Sequence, residues 1–206
     1  IQPTGSSTIS SSVIGGGGGE TITVDSTATT GQANSGSITF SHTTGSGTNR
    51  LLLVGVAYEC SGASCSSTPP ANSVTFNGTA LSLVGRHYQS SNDSVVDVWR
   101  LLNPPASTTA NVVVTLGLNQ DTVAGAVTLA GVDQSQTLTL LTAEGSGSTP
   151  TISVTAASGY KIFATASWDN PTGSPTAASP ATALWDLRSV ANDSTTSGVR
   201  GAASAA

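Results

Sequence analysis

The chain has 206 residues, a net charge of −5 and only 8% charged side chains, against roughly 25% in an ordinary soluble domain. Its six cations, Arg50, Arg86, Arg100, Lys161, Arg188 and Arg200, are scattered, which excludes a nucleic-acid partner held through phosphates. No run reaches the roughly 18 apolar residues that a membrane span requires. Ser and Thr supply nearly a third of the residues and Met none, so solubility rests on hydroxyls, Asn and backbone. With a first residue that is Ile1 rather than Met, this composition reads as the mature form of an exported, extracellular or cell-surface protein whose presequence has been removed.

Residues 1–19 are read as an N-terminal extension. Within it, residues 8–14 can pair as a strand, with Ile9, Val13 and Ile14 as its apolar side chains. Gly15, Gly16, Gly17, Gly18 and Gly19 follow as a flexible hinge, since five glycines carry almost no conformational preference of their own. They lack the Gly-Lys-Ser/Thr ending of a phosphate loop.

From residue 20 onward the chain reads as one two-layer β domain ending at residue 206. Short β-branched runs separated by Gly, Pro, Ser and Asn predict strands at 20–26, 37–42, 50–58, 73–77, 80–88, 94–102, 110–116, 122–130, 137–142, 151–155, 160–168 and 182–190. That is about a dozen, at the spacing of an antiparallel sandwich or barrel. The run at 50–58 is continuously apolar and fits a central strand. Asn77-Gly78 between two apolar runs is a strong hairpin signal, and Asn103-Pro104-Pro105 ends the strand that carries Trp99. No window shows a capped helical stripe.

Cys60 and Cys65 flank Ser-Gly-Ala-Ser. Two thiols make a poor metal site, and an exported protein favours a short disulfide that pins one loop. No nucleophile elbow occurs, and His42 and His87 have no ligand-spaced partners. Glu59, Asp93 and Asp97 are the carboxylates that could converge as a glycosidase pair, while Asp97 alternates with Val96 and Val98 and so faces away from the core or toward Arg86 or Arg100. Calcium would have Asn119-Gln120-Asp121 or Asn92-Asp93 as oxygen donors, without a recognised loop spacing. The chain is therefore expected to be no enzyme and to carry no metal or other cofactor. Asn77, Asn92 and Asn192 begin glycosylation sequons. Trp185, followed by Asp186 and Arg188, is the best candidate for an exposed sugar-facing ring.

Four segments in order, Asn49-Arg50-Leu51-Leu52-Leu53-Val54-Gly55-Val56, Val74-Thr75-Phe76-Asn77-Gly78-Thr79-Ala80-Leu81, Val98-Trp99-Arg100-Leu101-Leu102-Asn103-Pro104-Pro105 and Ala124-Gly125-Ala126-Val127-Thr128-Leu129-Ala130-Gly131-Val132-Asp133-Gln134, resemble a family of β-sandwich modules. Such modules occur in secreted bacterial and archaeal proteins and in phage structural proteins. The resemblance covers roughly residues 20–170. It implies a jelly-roll-like fold and structural or adhesive duty, and it supplies no catalytic residues. Modules of this kind run past the last tryptophan region to a further apolar strand, whereas nothing in residues 191–206 reads as a closing strand. A sheet left one strand short invites strand addition. The expectation is therefore a detachable donor strand that fills the groove of the next copy and builds a head-to-tail filament. The alternative is a carbohydrate- or surface-binding adhesive module on a cell or virion.

Overall fold

The computed structural model describes residues 6–26, 29–59, 71–89, 94–117, 119–146, 151–169, 176–189 and 199–206. These residues contain fifteen strands and no helix: β1 (Ser6–Ile14), β2 (Thr23–Val24), β3 (Thr29–Asn34), β4 (Ser37–Thr43), β5 (Leu51–Glu59), β6 (Ala71–Phe76), β7 (Thr79–Ala80), β8 (Ser82–Tyr88), β9 (Ser94–Leu102), β10 (Thr109–Leu116), β11 (Asp121–Ala130), β12 (Leu141–Ser146), β13 (Lys161–Asp169), β14 (Thr182–Arg188) and β15 (Val199–Ala205). Every pairing among them is antiparallel. The fold is an all-β, sandwich-like stack.

The stack has three layers where composition and spacing had suggested two. A four-stranded sheet runs β4-β10-β6-β7, a six-stranded sheet runs β2-β11-β5-β9-β8 with β3 also on β11, and a five-stranded sheet runs β12-β1-β13-β15-β14. The six-stranded sheet lies in the middle. One core, with Ile38, Phe40, Val74, Phe76 and Val112 facing Val54, Val56, Tyr58 and Trp99, fills its first face. A second, with Leu51, Leu53, Val98 and Leu129 facing Ile14, Phe163, Trp185 and Ala203, fills the other. This explains the apolar run of β5 and the unbroken burial of β11, both covered on two sides, while β4 alternates exposed and buried residues as a one-sided strand must.

Local signals agree with the register. Asn77 and Gly78 sit at φ 50° and 75° in the β6–β7 turn, the left-handed pair that a two-residue hairpin demands. Strand β9 stops at Leu102, before Asn103-Pro104-Pro105. Residues 151–155 are described but belong to no strand. The last strand corrects an expectation: β15 pairs β13 on one side and β14 on the other. A closing strand is present, hidden by its Val-Arg-Gly-Ala-Ala-Ser-Ala sequence, which has one β-branched residue and no clear alternation.

His42 ties the first two layers together. Its ring is buried, with Nδ1 2.9 Å from Thr29 Oγ1 and Nε2 2.9 Å from Thr128 Oγ1, and Phe76 meets it edge-on at 6.1 Å. Burial lowers its pKa from 6.5 to about 4. The unfolded chain takes up the proton near pH 6.5 and the folded chain only near 4, so stability present above 6.5 is lost as pH falls toward 4. A pH series of urea unfolding should show a loss of roughly 3 kcal/mol across that window, and His42→Gln should flatten this limb.

Candidate functional site: the slot between β12 and β13

The feature that stands apart is where the N-terminal strand lies. β1 is an interior strand of the third layer, with six register pairs to β12, from Ser6↔Ser146 to Ser11↔Leu141, and eight to β13, from Ser7↔Trp168 to Ile14↔Lys161. Both neighbours come from more than a hundred residues later in the chain. Without β1 the sheet divides, because β12 touches no other strand of that layer by hydrogen bonds.

Alternation along β1 sets two rows. Thr8, Ser10, Ser12 and Ile14 face the middle sheet, where β1 packs on β9, and Ile14 is fully buried in the second core. Ser7, Ile9, Ser11 and Val13 face the other way, with Ile9 and Val13 half-buried. The anchor of the strand is thus Ile14, while Ile9 and Val13 are secondary. Thr8 Oγ1, Ser10 Oγ, Ser11 Oγ and Ser12 Oγ are buried and without hydrogen-bond partners, as is Ser167 Oγ across the inward row. A buried hydroxyl without a partner is destabilising, at about 1–3 kcal/mol in mutational data.

The glycines after β1 are anchored in this structure. Gly17 N donates to Gly131 O and Asp133 N donates to Gly15 O, both at 2.9 Å, and Gln136 Oε1 accepts from Gly15 N at 2.5 Å. A Cβ on Gly16 would lie 2.3 Å from Glu20 O, and Gly18 and Gly19 stand at φ 62° and 83°. These glycines therefore shape a tight turn, where a free linker had been expected. The outer lip of the slot, β12, meets edge strand β8 of the middle sheet: His87 Nε2 lies 3.2 Å from Glu144 Oε1, and Leu140 packs against Gly85.

Among the described residues, the other predicted site residues do not assemble into one site. Asp97 is fully buried and faces Arg86, one of the two arginines it was expected to meet. Arg86 Nε and Nη2 each donate to it at 2.6 Å, Tyr58 Oη at 3.1 Å and Trp99 Nε1 at 3.3 Å. Burial pushes the Asp97 carboxyl up, against the pull of Arg86, Tyr58 and Trp99; burial, then the Asp97 charge, pushes the Tyr58 hydroxyl well up too. Among the described residues the cluster is a buried ion pair with two further hydrogen-bond donors. Pairing with Arg86 was legible in the sequence; Tyr58 and Trp99 were not, since nothing local aims them at Asp97. Glu59 lies three register positions from the partner of Asp97, so the two carboxylates occupy opposite faces of the sheet. Asp121 accepts a hydrogen bond from Ser189 Oγ at 3.2 Å, and Asn119 is exposed. Among the described residues, no three His, Cys, Asp or Glu side chains gather as a metal site.

Trp185 also differs from expectation: its ring is buried, at 6% exposure. It lies on Gly55, Gly125 and Gly201, where a Cβ would come within 3.2, 2.3 and 3.1 Å of the indole. Gly55 and Gly125 are cross-strand partners, and such mid-strand glycines are the signal that marks a close approach. Asn77 is exposed in its turn. Cys60, Cys65, Asn92, Asp93 and Asn192 lie outside the described residues. Comparison with protein-family models, curated proteins and solved structures returned no match.

Proposed function

We propose that this protein is a structural subunit of an extracellular filament or pilus-like surface assembly, polymerising by donation of residues 6–14 from one copy to the next. The observation that carries the reading is the place of β1: an early strand, joined to the body by five glycines, that completes a sheet between two strands from the far end of the chain. A neighbour's β1 would make the same ladders and bury the same Ile14, so exchange costs little beyond rearranging the turn. Extended, five residues reach about 17 Å. The acceptor groove is the slot between β12 and β13 rather than a missing last strand, since β15 already closes that side. A hydroxyl-rich, charge-poor surface suits an extracellular setting.

The partner is therefore a second copy of this chain, bound head to tail. Trp185, the candidate sugar-facing ring of the alternative adhesive reading, is buried; among the described residues Tyr160 is the one exposed aromatic side chain. Electron microscopy tests the proposal. The full chain should form fibres, and a chain lacking residues 1–14 should form none while a synthetic peptide of residues 6–14 binds it and restores its stability. Fibres that persist without residues 1–14 would refute strand donation.

A further inference from the structure

The slot recognises its strand through one side chain, and the rest of the inward row carries almost no positional information. Thr8, Ser10 and Ser12 are near-equivalent in size, fully buried, and hydrogen-bonded to nothing through their hydroxyls. They face Ser167, Thr165 and Phe163 on β13, so a shift of two residues brings one small hydroxyl residue to the place of another. A shift of one would turn the whole strand over, but a shift of two keeps its faces. Within the inward row only Ile14 resists the shift, because it alone fills apolar space, in the second core that also holds Leu51, Val132, Leu138 and Phe163; outside that row the turn at Gly15, Gly16 and Gly17 opposes it through the backbone. Ile9 and Val13, on the outer row, are half-buried and bias the register far less.

We infer that Ile14 is the register key of the slot. The segment the slot accepts is defined by small hydroxyl residues at three alternate positions followed by one aliphatic residue at the fourth, and residues 6–14 of a second copy meet that description. The inference refines the strand-donation reading but does not stand or fall with it, since the same key acts whether the strand comes from its own chain or from a neighbour.

Cysteine trapping in the full chain, with Cys60 and Cys65 changed to Ser, reads the register directly. Ser11 faces Ala164 in the observed register, and Ile162 after a shift of two. In the otherwise native strand, Ser11→Cys should bond to Ala164→Cys at least about tenfold more than to Ile162→Cys, the preference expected from burying one isoleucine. Ile14→Ser should cut that preference severalfold, the anchored turn at Gly15 and Gly17 holding the remainder, and Ile9→Ser should leave it intact. The decisive variant moves the key: Ser12→Ile with Val13→Gly and Ile14→Gly should switch the bond to Ile162→Cys, because the isoleucine side chain moved to position 12 then takes the place opposite Lys161 while glycines fall where Gly15 and Gly16 leave no room for a Cβ. Bonding that stays at Ala164→Cys in this variant overturns the inference, and so does loss of both bonds. Register is counted over intrachain and interchain bonds together, whereas strand donation is read from the interchain fraction alone, so the two ideas fail separately.

Discussion

Replacing Arg86 with Met should lower stability by about 3–5 kcal/mol, the cost of breaking a buried pair by removing one partner. Asp97 is fully buried, and Arg86 meets it with two 2.6 Å hydrogen bonds while a third reaches Ala71 O at 2.9 Å. Without the guanidinium, the carboxylate keeps Tyr58 and Trp99 as its side-chain donors among the described residues, and Ala71 O loses the bond from Arg86. Adding Asp97→Asn removes the stranded charge yet keeps an oxygen for both donors, so the double variant should regain most of the loss. Urea unfolding reads this as a drop in midpoint at constant slope for Arg86→Met and a recovery for the pair. Equal instability of the double and single variants would mean that the charge is not the cause.

Trp185→Ala should cost a similar 3–5 kcal/mol, because it empties a fully enclosed site in the second core. An exposed sugar-binding ring would give a stability change near zero, so one unfolding curve separates the two placements. The glycine cradle adds a control. At Gly125 even a methyl group would lie 2.3–2.5 Å from three atoms of the indole, and Gly125→Ala should itself lose about 1–3 kcal/mol by overpacking. In a Trp185→Ala background the same methyl group has room, and that penalty should vanish or reverse. The non-additivity places the ring on that glycine.

Strands with a strong pattern were legible in advance. β9 was predicted at its observed bounds, β5 within a residue, and the Asn77-Gly78 hairpin with its turn chemistry, because β-branched runs bounded by Pro and Gly leave few other readings. What escaped notice was made of small residues. β15 is built from Ala, Ser and Gly with one Val and one Arg, and β3 (Thr-Thr-Gly-Gln-Ala-Asn) has little apolar content, so their strand character comes from ladder partners far along the chain. The third layer was hidden for a related reason: burial on both faces looks in sequence like any central strand, and nothing in β5 says which second sheet covers it. Trp185 was misplaced although Gly55 and Gly125 marked its seat; a glycine within an apolar strand shows that something approaches, not what. The slot was half legible. A spare strand on a glycine run could be read, and so could Ile14 as one of its apolar residues, but its groove could not, since it is formed by two strands that only the fold makes near neighbours.

That groove decides the central claim, and mixing two single-cysteine chains tests it most directly. One chain carries Ser11→Cys and the other Ala164→Cys, both without Cys60 and Cys65. These two positions face each other across β1 and β13, so a strand held in its own slot offers each thiol only a native residue of the same chain. Strand donation predicts disulfide-linked heterodimers when the chains are assembled together and then oxidised, with fibres as the accompanying form. Chains that remain monomeric on a non-reducing gel, from material that has formed fibres, would contradict it.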